Sequence, residues 1–373
     1  MTARASAHAR DPADDAGPLL DPTLVRQATR RLRSAAPGAS TVAIGLHRRG
    51  RRALVVQGHT AHHDGVPADT ATRFEIGSLT KTFTAVLLAE QAARGELDHH
   101  DPLARHLPAG ASLPPKGSGI TLTHLATHTS GLPHTPPGLP YLLPCVLRRP
   151  LPRLLAAPYA GFTTRDALHA LARSRLRATP GTRMRYSNFG VGLLGHALTH
   201  AAGDTSYATL LHTRVLRPLG LRTTDAATSP PSAFTQVTGY WRHRPLPPFR
   251  FPGLAAAGAL RAGVRDLLAL AEALLDPASA GVPPTLRTAL HDVRRPRIRM
   301  RRGNGVALVW HIRTRPDGTR LYYHAGATFG CTSFAGFSPH HGTALVALAN
   351  TSSAHGNTLV QEAYDVLIGL LGG

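Results

Sequence analysis

The spacing of apolar and polar positions changes several times along the chain, and each spacing predicts a different element. Alternating, β-branched-rich runs predict strands, and they lie at residues 40–47, 53–59, 305–313, 320–326, 331–338 and 343–350. Apolar residues three or four positions apart predict helices, and they lie at residues 21–35, 164–176, 191–202, 264–275 and 359–371. The first two strands are joined by the basic segment 48–52, which predicts a hairpin with a basic turn.

This order of elements predicts an α+β fold. An N-terminal hairpin and the C-terminal strands can share one antiparallel sheet flanked by helices, with a mainly helical insertion at about 100–270. Residues 1–18 are polar and rich in Ala and Asp, which predicts a disordered tail. We expect residues 19–373 to form a single domain. The Pro-rich stretches 132–152 and 229–253 are expected to be long surface loops around a cleft.

Composition and charge limit the partners. With 373 residues, 42% hydrophobic and 17% charged, the chain is expected to be globular. A net charge of +21 is compatible with nucleic acid, an anionic membrane or an acidic protein as partner. The arginines are scattered in small groups and aromatic content is only 5%, so we expect surface charge and no nucleic-acid partner. The basic run 294–302 leaves an acidic protein partner open.

Targeting signals and cofactor motifs are weak or missing in this sequence. The first residues lack the apolar core of a signal peptide, so a cytoplasmic location is expected, although export stays open if a leader was removed. No apolar run approaches the ~18 residues of a membrane span. Cys145 and Cys331 could pair, but nothing requires it, and metal-ligand spacing is absent. The glycines of 190–195 form a GxGxxG without a clear preceding strand, so we expect no cofactor and no metal.

The clearest candidate chemistry lies in residues 74–90, FEIGSLTKTFTAVLLAE. Ser78 and Lys81 are three positions apart at the start of a predicted helix, so their side chains can meet. A neutral amine beside a serine hydroxyl makes an activated nucleophile. Lys81 is one of only two lysines in a chain with 42 Lys+Arg residues. Arginine cannot supply this chemistry because it does not give up its proton.

Two further short motifs carry polar groups suited to the same reaction. Tyr186 and Asn188 follow a Pro-Gly turn; a phenol can relay a proton, and an amide can hold a substrate carbonyl or the lysine. His324 and Gly326 lie at the end of a predicted strand, where a substrate backbone could pair along the edge. Taken alone, the Tyr186 motif is more often a capping turn than a site, and the His324 motif is more often an ordinary strand end.

Together, the motifs resemble those of the serine β-lactamase-like hydrolases, in the branch of class C β-lactamases, D-alanyl-D-alanine carboxypeptidases and family VIII esterases. The resemblance implies Ser78 as nucleophile, Lys81 as the group that activates it, and Tyr186 as proton relay. It also implies an oxyanion hole formed by the backbone N–H groups of Ser78 and Ala327. It rests on five segments in the family's order, namely FEIGSLTK, HLATHTSGLP, PGTRMRYSN, RPLGLRTT and HAG. By position, Asn188, His324 and Gly326 match the family's remaining motif residues and are expected to bind substrate.

One departure from the family pattern limits the expected substrate. His324 and Ala325 stand where β-lactamases usually carry lysine and threonine, so efficient β-lactam turnover is not expected. The expected function is hydrolysis of an ester or amide, such as a D-alanyl peptide, a small ester or a β-lactam-like compound, through an acyl-enzyme. The alternatives left open are a biosynthetic acyltransferase or thioesterase, a penicillin-binding sensor that does not turn over, and nucleic-acid binding.

Overall fold

An eight-stranded antiparallel sheet forms the centre of the structure. The computed structural model describes residues 20–138, 159–203, 205–226, 234–300, 303–354 and 356–372. The strands are β1 Thr41–Arg48, β2 Arg51–Gly58, β3 Phe74–Glu75, β4 Asp225–Ala226, β5 Gly239–Trp241, β6 Arg244–Leu246, β7 Leu260–Ala262, β8 Ile298–Arg299, β9 Asn304–Val306, β10 His311–Thr314, β11 Arg320–Ala327, β12 Thr332–Ser338 and β13 Thr343–Ala349. The strand order in the large sheet is β2-β1-β13-β12-β11-β10-β9-β8. Two small sheets accompany it, one with the order β3-β7-β4 and the other formed by β5 and β6.

Helices cover both faces of this sheet, and most of them come from the part of the sequence between β2 and β8. Within the described residues they are α1 Pro22–Ser34, α2 Thr80–Ala93, α3 Leu122–Ala126, α4 Thr164–Ala172, α5 Asn188–Ala201, α6 Tyr207–Leu211, α7 Ala255–Gly258, α8 Val264–Leu275, α9 Pro284–Asp292 and α10 Leu359–Leu371. Antiparallel strands between helices make the fold α+β, as predicted. No helix in the described part of the chain is both long and apolar enough to cross a membrane.

The period-two pattern of β1 explains how the sheet divides the core. Val42, Ile44 and Leu46 pack into the cluster formed with α1 and α10. Ala43 belongs to the larger cluster on the opposite face, and a Cβ at Gly45 would lie 3.2 Å from the Cβ of Leu268 on α8. Alternate residues of a strand point to opposite faces. Strand β1 is therefore covered on both faces, with its large residues on the α1 and α10 side and its small residues on the α8 side.

Several predicted elements differ in extent from the observed ones. The predicted strand 305–313 is two strands, β9 and β10, because the Ala307 N–H donates to the Trp310 carbonyl and the Val309 N–H donates to Ala126. These bonds take the segment out of the ladder and close a hairpin. Helix α4 ends at Ala172 rather than 176, and the basic turn is only two residues, because Arg48 pairs with Arg51.

The basic run 294–302 is partly structural rather than solvated. Arg294 donates to the carbonyl of Leu274 at 2.8 Å, and Arg297 donates to both carboxylate oxygens of Asp292 at 2.7 Å. Residues 301–302 lie outside the described residues. Tail 1–18, Cys145, residues 139–152 and residues 229–233 also lie outside them, so those expectations stay predictions. The described part of the second Pro-rich stretch is not all loop, because β5 and β6 pair there as a short hairpin.

Candidate active site

The Ser78 turn lies directly against the end of β11. Residues Gly77–Leu79 form one 3-10 turn between β3 and α2. Gly77 has a φ of +50°, and a Cβ there would lie 2.4 Å from the carbonyl oxygen of Ala327. A Cβ at Gly326 would lie 2.1 Å from the carbonyl oxygen of Ile76. Only glycine at both positions permits this close approach. The two sequence motifs around Ser78 and Gly326 are therefore brought together by backbone contact.

Lys81 contacts Ser78 from inside the protein. Its side chain is 0% exposed, and its Nζ lies 2.9 Å from Ser78 Oγ and 2.6 Å from the carbonyl oxygen of Ala257. Burial lowers the pKa of Lys81 well below its ordinary value, since the charged form is poorly solvated there. A neutral amine donates one N–H to Ala257 and keeps its lone pair available for the Ser78 hydroxyl. This geometry suits a general base.

Tyr186 is a second neighbour of Ser78. The Nζ of Lys81 is 5.0 Å from the centroid of the Tyr186 ring. Burial raises the pKa of Tyr186 to about 12, and a hydrogen bond with the Ser78 side chain opposes that rise. The phenol therefore keeps its proton at neutral pH and can donate it.

The register of β11 and β12 orients a backbone N–H group toward the Ser78 turn. Ala327 is paired with Thr332, and the next pair is joined by the Thr328 N–H, which donates to Cys331 at 3.0 Å. Hydrogen-bonded and non-hydrogen-bonded pairs alternate along an antiparallel ladder. The N–H of Ala327 therefore points away from β12, on the side where the Ser78 turn packs. This is the position that the predicted oxyanion hole requires.

Asn188 begins α5 next to Tyr186. The helix is capped by Ser187, whose Oγ accepts the N–H of Gly190 at 2.8 Å. The Asn188 Nδ2 lies 3.4 Å from the Nε2 of His134, and its buried Oδ1 has no hydrogen-bond partner among the described residues. No hydrogen bond joins Asn188 to Lys81 there. Of the two predicted roles, contact with a substrate therefore fits this geometry better than contact with the lysine.

His324 is buried near Tyr186 as a neutral imidazole. The ring centroids of the two residues are 6.4 Å apart, and only 2% of His324 is exposed. Burial, followed by the neighbouring His311 and Lys81, lowers the pKa of His324 well below its ordinary value. Its Nδ1 lies 2.8 Å from the carbonyl oxygen of Ala325 and therefore carries the proton, which leaves Nε2 as an acceptor. His324 cannot provide the positive charge that a lysine would.

His128 is a neighbour of Tyr186 to which the sequence alone assigned no role. The two rings are in contact, with centroids 4.3 Å apart and planes tilted by 37°, and the His128 Nδ1 accepts the N–H of Ser187 at 3.2 Å. Burial, followed by Lys81, lowers the pKa of His128 well below its ordinary value. His128 lies in the HLATHTSGLP motif and has a φ of +60°, which is unusual for a residue with a Cβ. The motif gave a signal, but the contact with Tyr186 is visible only in the folded chain.

Sequence comparison identifies the family. A model of the Beta-lactamase family matches residues 25–369, and the chain belongs to that family. The resemblance to serine β-lactamase-like hydrolases is thereby confirmed. Within the described residues, no group of three or more His, Cys, Asp or Glu side chains is arranged to bind a metal ion.

Curated relatives include peptidases and β-lactamases. The chain is 33% identical over 194 residues to the D-alanyl-D-alanine-carboxypeptidase/endopeptidase AmpH of Escherichia coli (strain K12), covering 52% of this chain and 47% of the relative. It is 32% identical over 174 residues to a Beta-lactamase of the same strain, covering 47% and 40%. A Beta-lactamase of Pseudomonas fluorescens is 30% identical over 220 residues, covering 58% and 54%. The chain thus spans about half the length of the curated relatives it matches.

Proposed function

We propose that this protein is a serine hydrolase that forms an acyl-enzyme on Ser78. The observation that carries the proposal is the fully buried Lys81, whose Nζ lies 2.9 Å from Ser78 Oγ and whose pKa is lowered by burial. A buried amine without a carboxylate partner costs stability. Such a cost is typical of groups that a reaction needs.

In the proposed reaction, each group beside Ser78 has a defined role. Ser78 Oγ attacks the carbonyl carbon of an ester or amide while Lys81 accepts the hydroxyl proton. The developing oxyanion binds the N–H groups of Ser78 and Ala327. Tyr186 gives its proton to the leaving group as the bond to the carbonyl carbon breaks, and Lys81 returns a proton to Tyr186. Water then attacks the acyl-enzyme by the reverse route and releases the acid.

The substrate we propose is a D-alanyl peptide or a small ester rather than a β-lactam. The relatives named above include a D-alanyl-D-alanine carboxypeptidase, which supports an amide as acyl donor. The neutral His324 stands where the family's β-lactamases carry a lysine, and it provides no cation for a β-lactam carboxylate. We therefore expect β-lactams to acylate Ser78 and to be released slowly. Acyl transfer to an alcohol or amine would use the same acyl-enzyme.

Intact-mass spectrometry tests the acyl-enzyme directly. The protein is exposed briefly to a penicillin, to a p-nitrophenyl ester and to a D-alanyl thioester, alongside Ser78→Ala. On the wild-type protein only, we expect a transient mass increase that forms fastest with the ester or the thioester, and a longer-lived mass increase with the penicillin. A long-lived adduct from every donor would contradict hydrolysis and favour a penicillin-binding sensor that does not turn over. No adduct from any donor, or an adduct that persists in Ser78→Ala, would show that the nucleophile is wrongly assigned.

A further inference from the structure

A cavity rich in arginine lies beside Tyr186. It encloses about 320 Å³ and is lined by Arg177, Arg183 and Arg185, together with His134, Tyr186, a leucine and a methionine. In the described residues no carboxylate lies within ion-pair distance of these three guanidinium groups. Other arginines of the chain do have such partners, as in the pair of Arg214 with Glu96 at 2.9 Å. Three unpaired cations around one cavity favour an anionic ligand.

Backbone hydrogen bonds hold the arginine-bearing segment in place. Segment 177–185 runs along segment 128–131, and its N–H groups at Arg177, Gly181 and Arg185 donate to carbonyl oxygens of that segment at 2.8, 2.8 and 2.7 Å. A Cβ at Gly131 would lie 2.2 Å from the carbonyl oxygen of Ala178, so the two segments are in backbone contact. The arginines therefore project from a fixed frame rather than from a free loop.

The side of the site on which the cavity lies indicates which part of a substrate it receives. Tyr186 lines the cavity and also contacts Ser78, and in the proposed reaction it gives its proton to the leaving group. Atoms beyond the leaving atom are thus directed past Tyr186 toward the arginines.

We propose that the cavity formed by Arg177, Arg183 and Arg185 binds a carboxylate on the leaving group of the substrate. The inference rests on the proposed function and narrows it to esters, thioesters or amides whose departing part carries a carboxylate, as the last residue of a peptide does. A guanidinium fork matches a carboxylate with two parallel hydrogen bonds. Binding of this group would orient the scissile carbonyl over Ser78.

A matched pair of thioesters tests the proposal. One is the N-acetyl-D-alanyl thioester of thioglycolate, whose leaving thiol carries a carboxylate. The other is the N-acetyl-D-alanyl thioester of thioglycolamide, in which a neutral amide replaces that carboxylate. In both, the C–S bond breaks, the acyl group passes to Ser78 and then to water, and the thiol leaves with a proton and is measured. We expect wild type to prefer the carboxylate in kcat/KM by about 10- to 100-fold, since hydrogen bonds to charged groups give discrimination of that order.

Arginine variants locate that preference. In a triple variant with Arg177→Gln, Arg183→Gln and Arg185→Gln, the ratio of the two kcat/KM values should fall close to one. Arg30→Gln removes an exposed arginine on α1 and should keep the wild-type ratio. Equal rates for both thioesters in wild type, or a full preference in the triple variant, would overturn the assignment.

Binding to Ser78→Ala separates this inference from the proposed function. In this background, calorimetry should show tighter binding of the carboxylate thioester than of the amide, and the difference should disappear with the three arginine substitutions. Equal affinities would overturn the cavity assignment even if Ser78 is the nucleophile. Turnover without any charge preference would leave the hydrolase standing and the carboxylate site excluded. A charge preference in binding without any acylation would retain the site and reject the hydrolase.

Discussion

Each end of α2 buries an ionisable side chain, but only one of the two side chains has an ion-pair partner among the described residues. Near the C-terminal end, Glu90 is 1% exposed and forms ion pairs with Arg94 and Arg214. Near the N-terminal end, Lys81 is 0% exposed and has no carboxylate partner among the described residues. A buried charge is retained when it is paired and is lost when it is not. The contrast separates a structural group, Glu90, from a reactive one, Lys81.

Replacement of Lys81 should give the largest effect, a loss of activity without a loss of stability. Lys81→Met keeps the apolar stem and removes the base, so acylation of Ser78 should fall by about 10³-fold or more. At neutral pH the variant should also be more stable by on the order of 1 kcal/mol, because an unpaired buried amine is removed. Stopped-flow acylation and urea unfolding measure both effects. Lys116→Met, at the other lysine of the chain, is the control; unchanged acylation in Lys81→Met would contradict the assignment.

Replacement of Tyr186 tests whether its phenol gives a proton to the leaving group. Tyr186→Phe keeps the ring against His128 and removes the phenolic proton, so kcat/KM should fall by about 10²- to 10⁴-fold. The loss should be smaller for p-nitrophenyl esters than for amides, since a nitrophenolate needs little protonation to leave. A uniform loss across both substrates would instead indicate that Tyr186 positions Ser78.

Replacement of Glu90 tests the structural end of the helix. Glu90→Gln removes the charge that Arg94 and Arg214 share, and the free energy of unfolding should fall by about 1–3 kcal/mol. Acylation of Ser78 should keep its wild-type rate constant. Thermal or urea unfolding together with the mass-spectrometric assay checks both statements. A fall in acylation without a loss of stability would remove the distinction between the two ends.

Stability as a function of pH reports the same contrast with a smaller signal. The pKa of Lys81 is lowered in the folded protein and ordinary, about 10.5, in the unfolded chain. Between these two values the unfolded state binds the extra proton, so the free energy of unfolding should rise with pH through that window. Lys81→Met should lack this rise. If wild type and Lys81→Met gave parallel pH profiles, Lys81 would not be the group that titrates.

Among the active-site residues, replacement of His128 should have the mildest effect on activity. His128→Phe keeps the ring beside Tyr186 but cannot accept the N–H of Ser187, so we expect kcat/KM to fall about tenfold through misplacement of Tyr186. We expect activity to increase with pH as Lys81 loses its proton. Burial lowers the pKa of His128 well below its ordinary value, so this increase should persist in His128→Phe. Disappearance of that pH dependence would transfer the base role from Lys81 to His128.

Local pattern predicted much of the fold and one part of the site. The bounds of α8 and α10 agree with the predicted ranges, and the spacing of Ser78 and Lys81 predicted their contact. The break between β9 and β10 was missed because Val309 bonds to Ala126, a distant residue. The ring contact of His128 with Tyr186 and the arginine cavity also depend on segments far apart in sequence. No local period encodes such contacts.

The protonation state of Lys81 is the central claim, and the composition of the chain makes it directly measurable. With only two lysines in the sequence, labelling with ¹³Cε-lysine gives two NMR signals, and Lys116→Met assigns them. The account predicts that the Lys81 signal titrates well below the ordinary lysine value of 10.5, in the range where acylation of Ser78 accelerates. If the signal showed that Lys81 stays protonated up to about pH 10.5 while acylation proceeds at neutral pH, Lys81 could not be the general base and the account would be contradicted.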